Sequence, residues 1–224
     1  MTKEKIISYN SILKNKEIAT YIAQADVSLA SMGYTDHSFG HVKKCAKLVK
    51  DILETFGYSK REINLGQIAA YMHDIGNVVN RVNHAQSGAI MAFRILDNLG
   101  MPSNDIATVV SAIGNHDEGT AYPVNATAAA LILADKTDVR RSRVRNPETY
   151  DFNIHDRVNY AVEKSEVSID KEKRMLTLTI TLDTEITPVM DYFEIFLTRM
   201  SLCKKASKKL DIWFRLIING VELI

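Results

Sequence analysis

Apolar residues in the first 136 positions recur at helical spacing, and caps and glycines divide that stretch into segments. Residues 3–32 read as two helices, with Ile6, Ile7, Ile12 and Leu13 and then Ile18, Ile22, Val27 and Leu29 as apolar positions, ended by Gly33. From 38 to 56 the stripe Val42, Cys45, Leu48, Val49, Ile52, Leu53 and Phe56 predicts a helix stopped by Gly57, with His41 in its first turn. Ser59 and Glu62 form a capping-box pattern that opens the next helix. Leu65, Ile68 and Met72 carry it to His73-Asp74, and Gly76 ends it. A loop with Asn77, Asn80 and Arg81 leads to Asn83 as a cap and His84 as the start of a helix bearing Ile90, Phe93, Ile95 and Leu96. Ser103 is read as the cap of a further helix (Ile106, Val109, Val110, Ile113) that delivers His116 at its end. After a loop at 117–124, Asn125 opens an alanine-rich helix that delivers Asp135.

The pattern changes after Asn146-Pro147. A short helix near 154–163 precedes a period of two, Val167 and Ile169 and then Leu176, Leu178, Ile180 and Leu182, with 170–173 as the turn of a hairpin. Pro188 starts a helix through Leu202, its Met190, Phe193, Phe196 and Met200 spaced as core, and 212–218 reads as a third strand. The expected fold is therefore mainly α: a helical domain over 1–146, then a small α+β (β-β-α-β) unit over 147–224. No internal repeat or low-complexity stretch interrupts this division.

Composition narrows the class. With 46% apolar and 25% charged residues the chain reads as a soluble globular protein. A net charge of +1 argues against a large nucleic-acid footprint. Cys45 and Cys203 sit on separate helical patterns without a CxxC, as expected of buried thiols in a reducing compartment. The start of the chain lacks a signal-type apolar run, and no apolar stretch reaches the roughly 18 residues of a membrane span. The expectation is a cytoplasmic protein.

The chemistry gathers at helix ends. Five of the six histidines lie between positions 37 and 116, and four of those five fall at helix ends or in first turns. His41, His73, Asp74, His84, His116 and Asp135 form a candidate ligand set, all able to face one crevice of a bundle. Imidazole with carboxylate suits divalent transition metals, and the absence of cysteine disfavours a structural zinc site. Six groups exceed what one catalytic ion normally takes with a position left open, but two ions bridged by a carboxylate would use them all, with Asp74 as the natural bridge. Asp135 follows the apolar run Ala-Ala-Ala-Leu-Ile-Leu-Ala, so its carboxylate needs a partner or a cation. Taken singly, each of these histidines also reads as a helix cap, and a bundle of capped ends would bind no metal.

His41, the His73-Asp74 doublet and Asp135 reproduce the ordered pattern H…HD…D, and over residues 35–145 the chain resembles the HD-domain metal-dependent phosphohydrolases. His84 and His116, between the doublet and the last aspartate, resemble the extra histidines of the two-metal subgroup that includes HD-GYP phosphodiesterases and HD-type diadenosine tetraphosphate hydrolases. Asn77 stands where HD-GYP proteins carry a lysine, Asn115-His116 where they carry His-His, and Ala121-Tyr122-Pro123 where they carry Gly-Tyr-Pro. These departures turn the expectation away from cyclic di-GMP.

The resemblance implies hydrolysis of a phosphoester or phosphoanhydride by a metal-activated water. His41, His73, Asp74 and Asp135 would hold one ion and Asp74, His84 and His116 a second, with iron, manganese, nickel or zinc all fitting the donors. Asp74 and Lys136 are the expected catalytic residues. Arg81, Arg140 and Arg141 are the expected phosphate ligands, with Arg143 and Arg145 nearby. The substrate would be a small phosphorylated compound such as a nucleotide rather than nucleic acid or a membrane. Trp213 and the strand at 212–218 make a homodimer through an open sheet edge plausible. The rival reading is a regulatory or scaffold protein that keeps the metal site while the C-terminal unit binds a partner. His37, His155 and Asp138 carry no assigned role.

Overall fold

The computed structural model describes residues 6–148 and 153–224. Positions 3–5 of the expected first helix lie outside the described residues. Helices α1 (Tyr9–Leu13), α2 (Lys16–Ser31), α3 (Phe39–Thr55), α4 (Lys60–Met72), α5 (His84–Asn98), α6 (Ser103–Gly114) and α7 (Ala126–Lys136) form the bundle. They are followed by α8 (Ile154–Ala161), β1 (Val162–Asp170), β2 (Met175–Leu182), α9 (Val189–Lys209), β3 (Trp213–Ile218) and β4 (Val221–Glu222).

Helix α7 is the centre of the bundle. Residues 128–133 have no or almost no exposure on any side, the mark of a helix that is apolar all round. Its alanines let α3, α4, α6 and α9 come close around it. Gly66 does the same between α3 and α4, where a Cβ would stand 2.7 Å from Val49 Cγ1 and 2.9 Å from Leu53 Cδ1. The Ser59–Glu62 capping box is formed, each side chain bonding the other's backbone N–H. Both cysteines are buried and free.

The sheet has the order β1-β2-β3-β4. β1 and β2 form the expected antiparallel hairpin, and β3 lies parallel to β2 after the α9 crossover. Leu176, Leu178 and Ile180 of β2 and Phe214, Leu216 and Ile218 of β3 are buried on one face, while Trp213 is 70% exposed. One hydrophobic cluster runs from the bundle into the sheet through α9, whose Phe196, Met200, Cys203 and Ala206 are buried. Among the described residues no helix is long and apolar enough to cross a membrane.

Several local expectations are corrected. Pro102, not Ser103, occupies the N-cap of α6, and no side-chain cap bond forms there. Asn83 does precede α5, but in a left-handed conformation (φ 59°) and without a capping bond. Ile90 and Phe93 of α5 face outward. α9 continues past Leu202 to Lys209 because Cys203, Ala206 and Ser207 extend its buried stripe. A fourth strand follows β3 across Asn219-Gly220, both residues at positive φ, the Asn-Gly geometry that favours a tight hairpin.

Candidate metal centre

Five helix boundaries deliver the six candidate ligands to one place. His41 sits in the first turn of α3, behind the Ser38 cap, and His73 is the C-cap of α4. Asp74 follows it and leads into a 3-10 turn over Ile75–Val78. His84 is the first residue of α5, His116 lies just beyond α6, and Asp135 is in the last turn of α7. All four imidazoles and Asp74 are buried. The 3-10 turn can lie against α5 only because residue 76 has no side chain: a Cβ there would meet His84 O at 2.0 Å and Gly88 N at 2.4 Å.

Asp74 is the hinge of the cluster. Its Oδ2 lies 3.1 Å from His73 Nε2 and 3.7 Å from His41 Nε2. Asp135 Oδ1 joins that group at 3.3 Å from His41 Nε2 and 3.8 Å from His73 Nε2. The other oxygen, Asp74 Oδ1, is 3.6 Å from His84 Nε2 and 3.8 Å from His116 Nε2, and those two ring nitrogens are 3.1 Å apart. The six side chains thus gather as two donor groups about the Asp74 carboxylate, and His73, His116 and Asp135 also approach one another across them.

The second nitrogen of each ring explains why the first is available. Nδ1 of His73, His84 and His116 contacts the backbone oxygens of Ala70 (2.8 Å), Arg81 (3.0 Å) and Ile113 (2.6 Å). A carbonyl only accepts, so Nδ1 donates and Nε2 of the neutral ring is left with its lone pair turned to the cluster. His41 Nδ1 is likewise 2.8 Å from Asp138 Oδ2. Lone pairs and carboxylates converging in a buried space repel one another unless a positive charge lies among them. Asp74 Oδ2 is buried with no hydrogen-bond partner. Subsets of these side chains have donor atoms close enough to hold an ion. Burial alone would lower the His73 pKa, but Asp74 and Asp135 outweigh it and hold the ring above its ordinary value. Burial likewise opposes the Asp74 charge, yet His73 and His116 keep this carboxyl well below the usual range. The donor set fits a divalent transition metal.

A ring of supporting groups orients the donors. Asp138 is almost wholly buried, takes His41 on one oxygen, and receives Lys44 Nζ at 2.6 Å and Arg140 Nε at 2.9 Å on the other. Burial works against its charge, but the His41 hydrogen bond and the surrounding cations hold its carboxyl well below the ordinary range. Asn77 Nδ2 donates to Asp74 O at 2.9 Å and to Asp74 Oδ1 at 3.0 Å, fixing the carboxylate's rotation. Such partners set ligand orientation and basicity, and losing one typically costs about 10–100-fold in metal affinity. Asp138→Asn is therefore expected to weaken metal binding by that factor in a chelator-competition titration, and wild-type affinity in the variant would show that His41 needs no such anchor.

A cleft of about 390 Å³ opens over the cluster, with Asp74, His84, His116 and Asp135 in its floor. Lys136 and Arg81 are among the residues that line it. Arg140 and Arg141 do not line it. Arg140 is extended (φ −165°) and its guanidinium is committed to Asp138 and Ser142. Arg141, in the 3-10 turn that follows, bonds Tyr160 O and stacks on the Tyr160 ring. Arg145 pairs with Asp26 outside the cleft wall. Arg143 also lines the cleft, as do His37, His155 and Arg199, among others to which no role was assigned. His37 precedes α3 in the loop with Nδ1 2.6 Å from Thr35 O, and burial keeps its ring well below the ordinary pKa. Arg199 comes from α9, and nothing near it in the sequence marks it.

The HD domain family model matches residues 38–160 of the 224. The chain is 28% identical over 190 residues to an uncharacterized protein of Methanocaldococcus jannaschii, covering 74% of this chain and 72% of that one. It is also similar, at 21% identity and a TM-score of 0.45, to a crystal structure from an uncultured Thermotogales bacterium described as a predicted HD superfamily hydrolase, over 60% of this chain and 75% of that one. The family match spans more than half of the chain and contains every one of the six clustered ligands, so this protein belongs to the HD domain family.

Proposed function

We propose that the protein is a metal-dependent phosphohydrolase that hydrolyses a phosphoester or phosphoanhydride bond of a nucleotide or a related small phosphate compound. The observation that carries this reading is the Asp74 carboxylate, whose two oxygens face two separate sets of imidazole nitrogens while Oδ2 is buried with no hydrogen-bond partner. That arrangement suits two divalent transition ions, which when bound would supply Lewis acidity and an activated water. His41, His73, Asp74 and Asp135 would hold one ion, and Asp74, His84 and His116 the other.

The rest of the work belongs to the chain. Nδ1 bonds to backbone and to Asp138 fix the orientation of the imidazoles and aim Nε2 of each at the cluster. Lys136 and Arg81 bring positive charge to the cleft, where a phosphoryl group gains negative charge during transfer. A cleft of this size takes a small ligand rather than a polymer, in keeping with the near-neutral chain.

The test is elemental analysis of protein reconstituted with manganese, iron, nickel or zinc, followed by assay on nucleoside mono- and diphosphates, dinucleoside polyphosphates and a chromogenic phosphodiester. The expected result is about two ions per chain and hydrolysis that a chelator abolishes. Bound metal with no turnover anywhere on that panel would favour the regulatory or scaffold reading, and no bound metal would remove both.

A further inference from the structure

Charges of alternating sign run from the metal centre into the C-terminal unit. Lys136 Nζ lies 2.5 Å from Asp135 Oδ2 and 3.2 Å from Glu118 Oε2. Glu118 is ion-paired in turn to Arg199 of α9. The other oxygen of Asp135 faces the cluster, 3.3 Å from His41 Nε2. Lys136 and Arg199 both line the cleft, yet Arg199 lies 39 positions beyond the last residue of the HD match (199 − 160).

Lys136 is only 5% exposed. A buried ammonium is tolerated only when opposite charge surrounds it. Asp135 supplies part of that charge, but a cation among the imidazoles would draw on the same carboxylate. Glu118 then becomes the main counter-charge of Lys136. It belongs to the loop between α6 and α7, so its carboxylate needs an anchor from outside that loop. Arg199 supplies one. Phe196, Met200 and Cys203 bury the adjoining face of α9 in the core, and the guanidinium lies over the Phe196 ring, 4.8 Å from its centroid.

We infer that Arg199 is a positioning residue of the hydrolytic site: through Glu118 it holds the Lys136 ammonium at the metal centre, so that the C-terminal unit completes the site. What the ammonium does for catalysis rests on the phosphohydrolase reading, whereas where it is held does not.

Two readouts on the full-length, metal-loaded protein separate these. The first is the crystal structure of each metal-loaded variant, read as the position of Lys136 Nζ relative to Asp135 and Glu118. Arg199→Met, by freeing Glu118, and the isosteric Glu118→Gln should each shift Lys136 Nζ from its place beside Asp135 by about 1 Å or more, and Arg199→Lys should keep the wild-type position. Should Arg199→Met fail to fold, Glu118→Gln carries the same test. The second readout is kinetic: Arg199→Met should lower kcat about tenfold with KM within about twofold, and should add nothing in a Lys136→Met background, because residues acting as a unit are non-additive. A Lys136 Nζ unmoved in Arg199→Met and in Glu118→Gln overturns the proposal, whatever the activity. So do additive kinetic losses, or a raised KM at unchanged kcat, which would make Arg199 a direct substrate contact. A wild type without turnover counts against the phosphohydrolase reading alone, and the position of Lys136 Nζ then decides the matter of Arg199.

Discussion

Asp74→Ala is expected to leave a folded protein that has lost both its metal and its hydrolytic activity. The Nδ1 bonds that hold the neighbouring imidazoles do not involve Asp74, so His73, His84 and His116 stay anchored to backbone. What disappears is the carboxylate whose two oxygens face both donor groups. Loss of a partner that merely orients a ligand costs about 10–100-fold in metal affinity. Loss of the shared ligand should exceed that, and hydrolysis should fall by at least about a thousandfold if both ions work together. Elemental analysis, melting and phosphate release on one preparation check this. A variant that kept its metal and hydrolysed within tenfold of wild type would show that the two groups work without a bridge.

The second large effect is one of stability. Gly76→Ala should cost about 3 kcal/mol or more, above the ordinary range for overpacking, because the added carbon would meet His84 O at 2.0 Å and Gly88 N at 2.4 Å. Both obstacles are backbone, so no rotamer change relieves them. The turn carrying Asp74 would have to lift away from the helix carrying His84. Gly100→Ala is the useful contrast: its φ is +79° with nothing within 4 Å of the new carbon, so only the left-handed backbone is penalised, by about 1–2 kcal/mol. Urea unfolding of the two variants side by side makes the comparison. A Gly76→Ala cost no greater than that of Gly100→Ala would mean that α5 shifts to make room.

The candidate ligands were legible because each opens or closes a helix, and helix ends are where sequence punctuation is strongest. The Ser59–Glu62 box, the glycine stops and the apolar run before Asp135 fixed those ends without any knowledge of packing. The directions of Arg140 and Arg141 were not legible. Whether a guanidinium reaches the cleft depended on Asp138 and on the Tyr160 backbone, which a charge run does not reveal. Glu118 and Arg199 escaped notice for a related reason: their pairing exists only because α9 lies along α7. The β4 hairpin was different, since Asn219-Gly220 carried its usual turn signal in plain view.

His41 and Asp135 share one donor group although 94 positions separate them along the chain (135 − 41). A cation held between them would act as a removable cross-link across the greater part of the bundle segment. Closing so long a loop in the unfolded chain is entropically unfavourable, so these donors come together only in the folded chain. An ion that binds the folded state alone also draws the equilibrium toward it by mass action. Metal scarcity would then shorten the life of the protein as well as silence it, and melting Asp74→Ala beside wild type, with and without added metal, reads that difference directly.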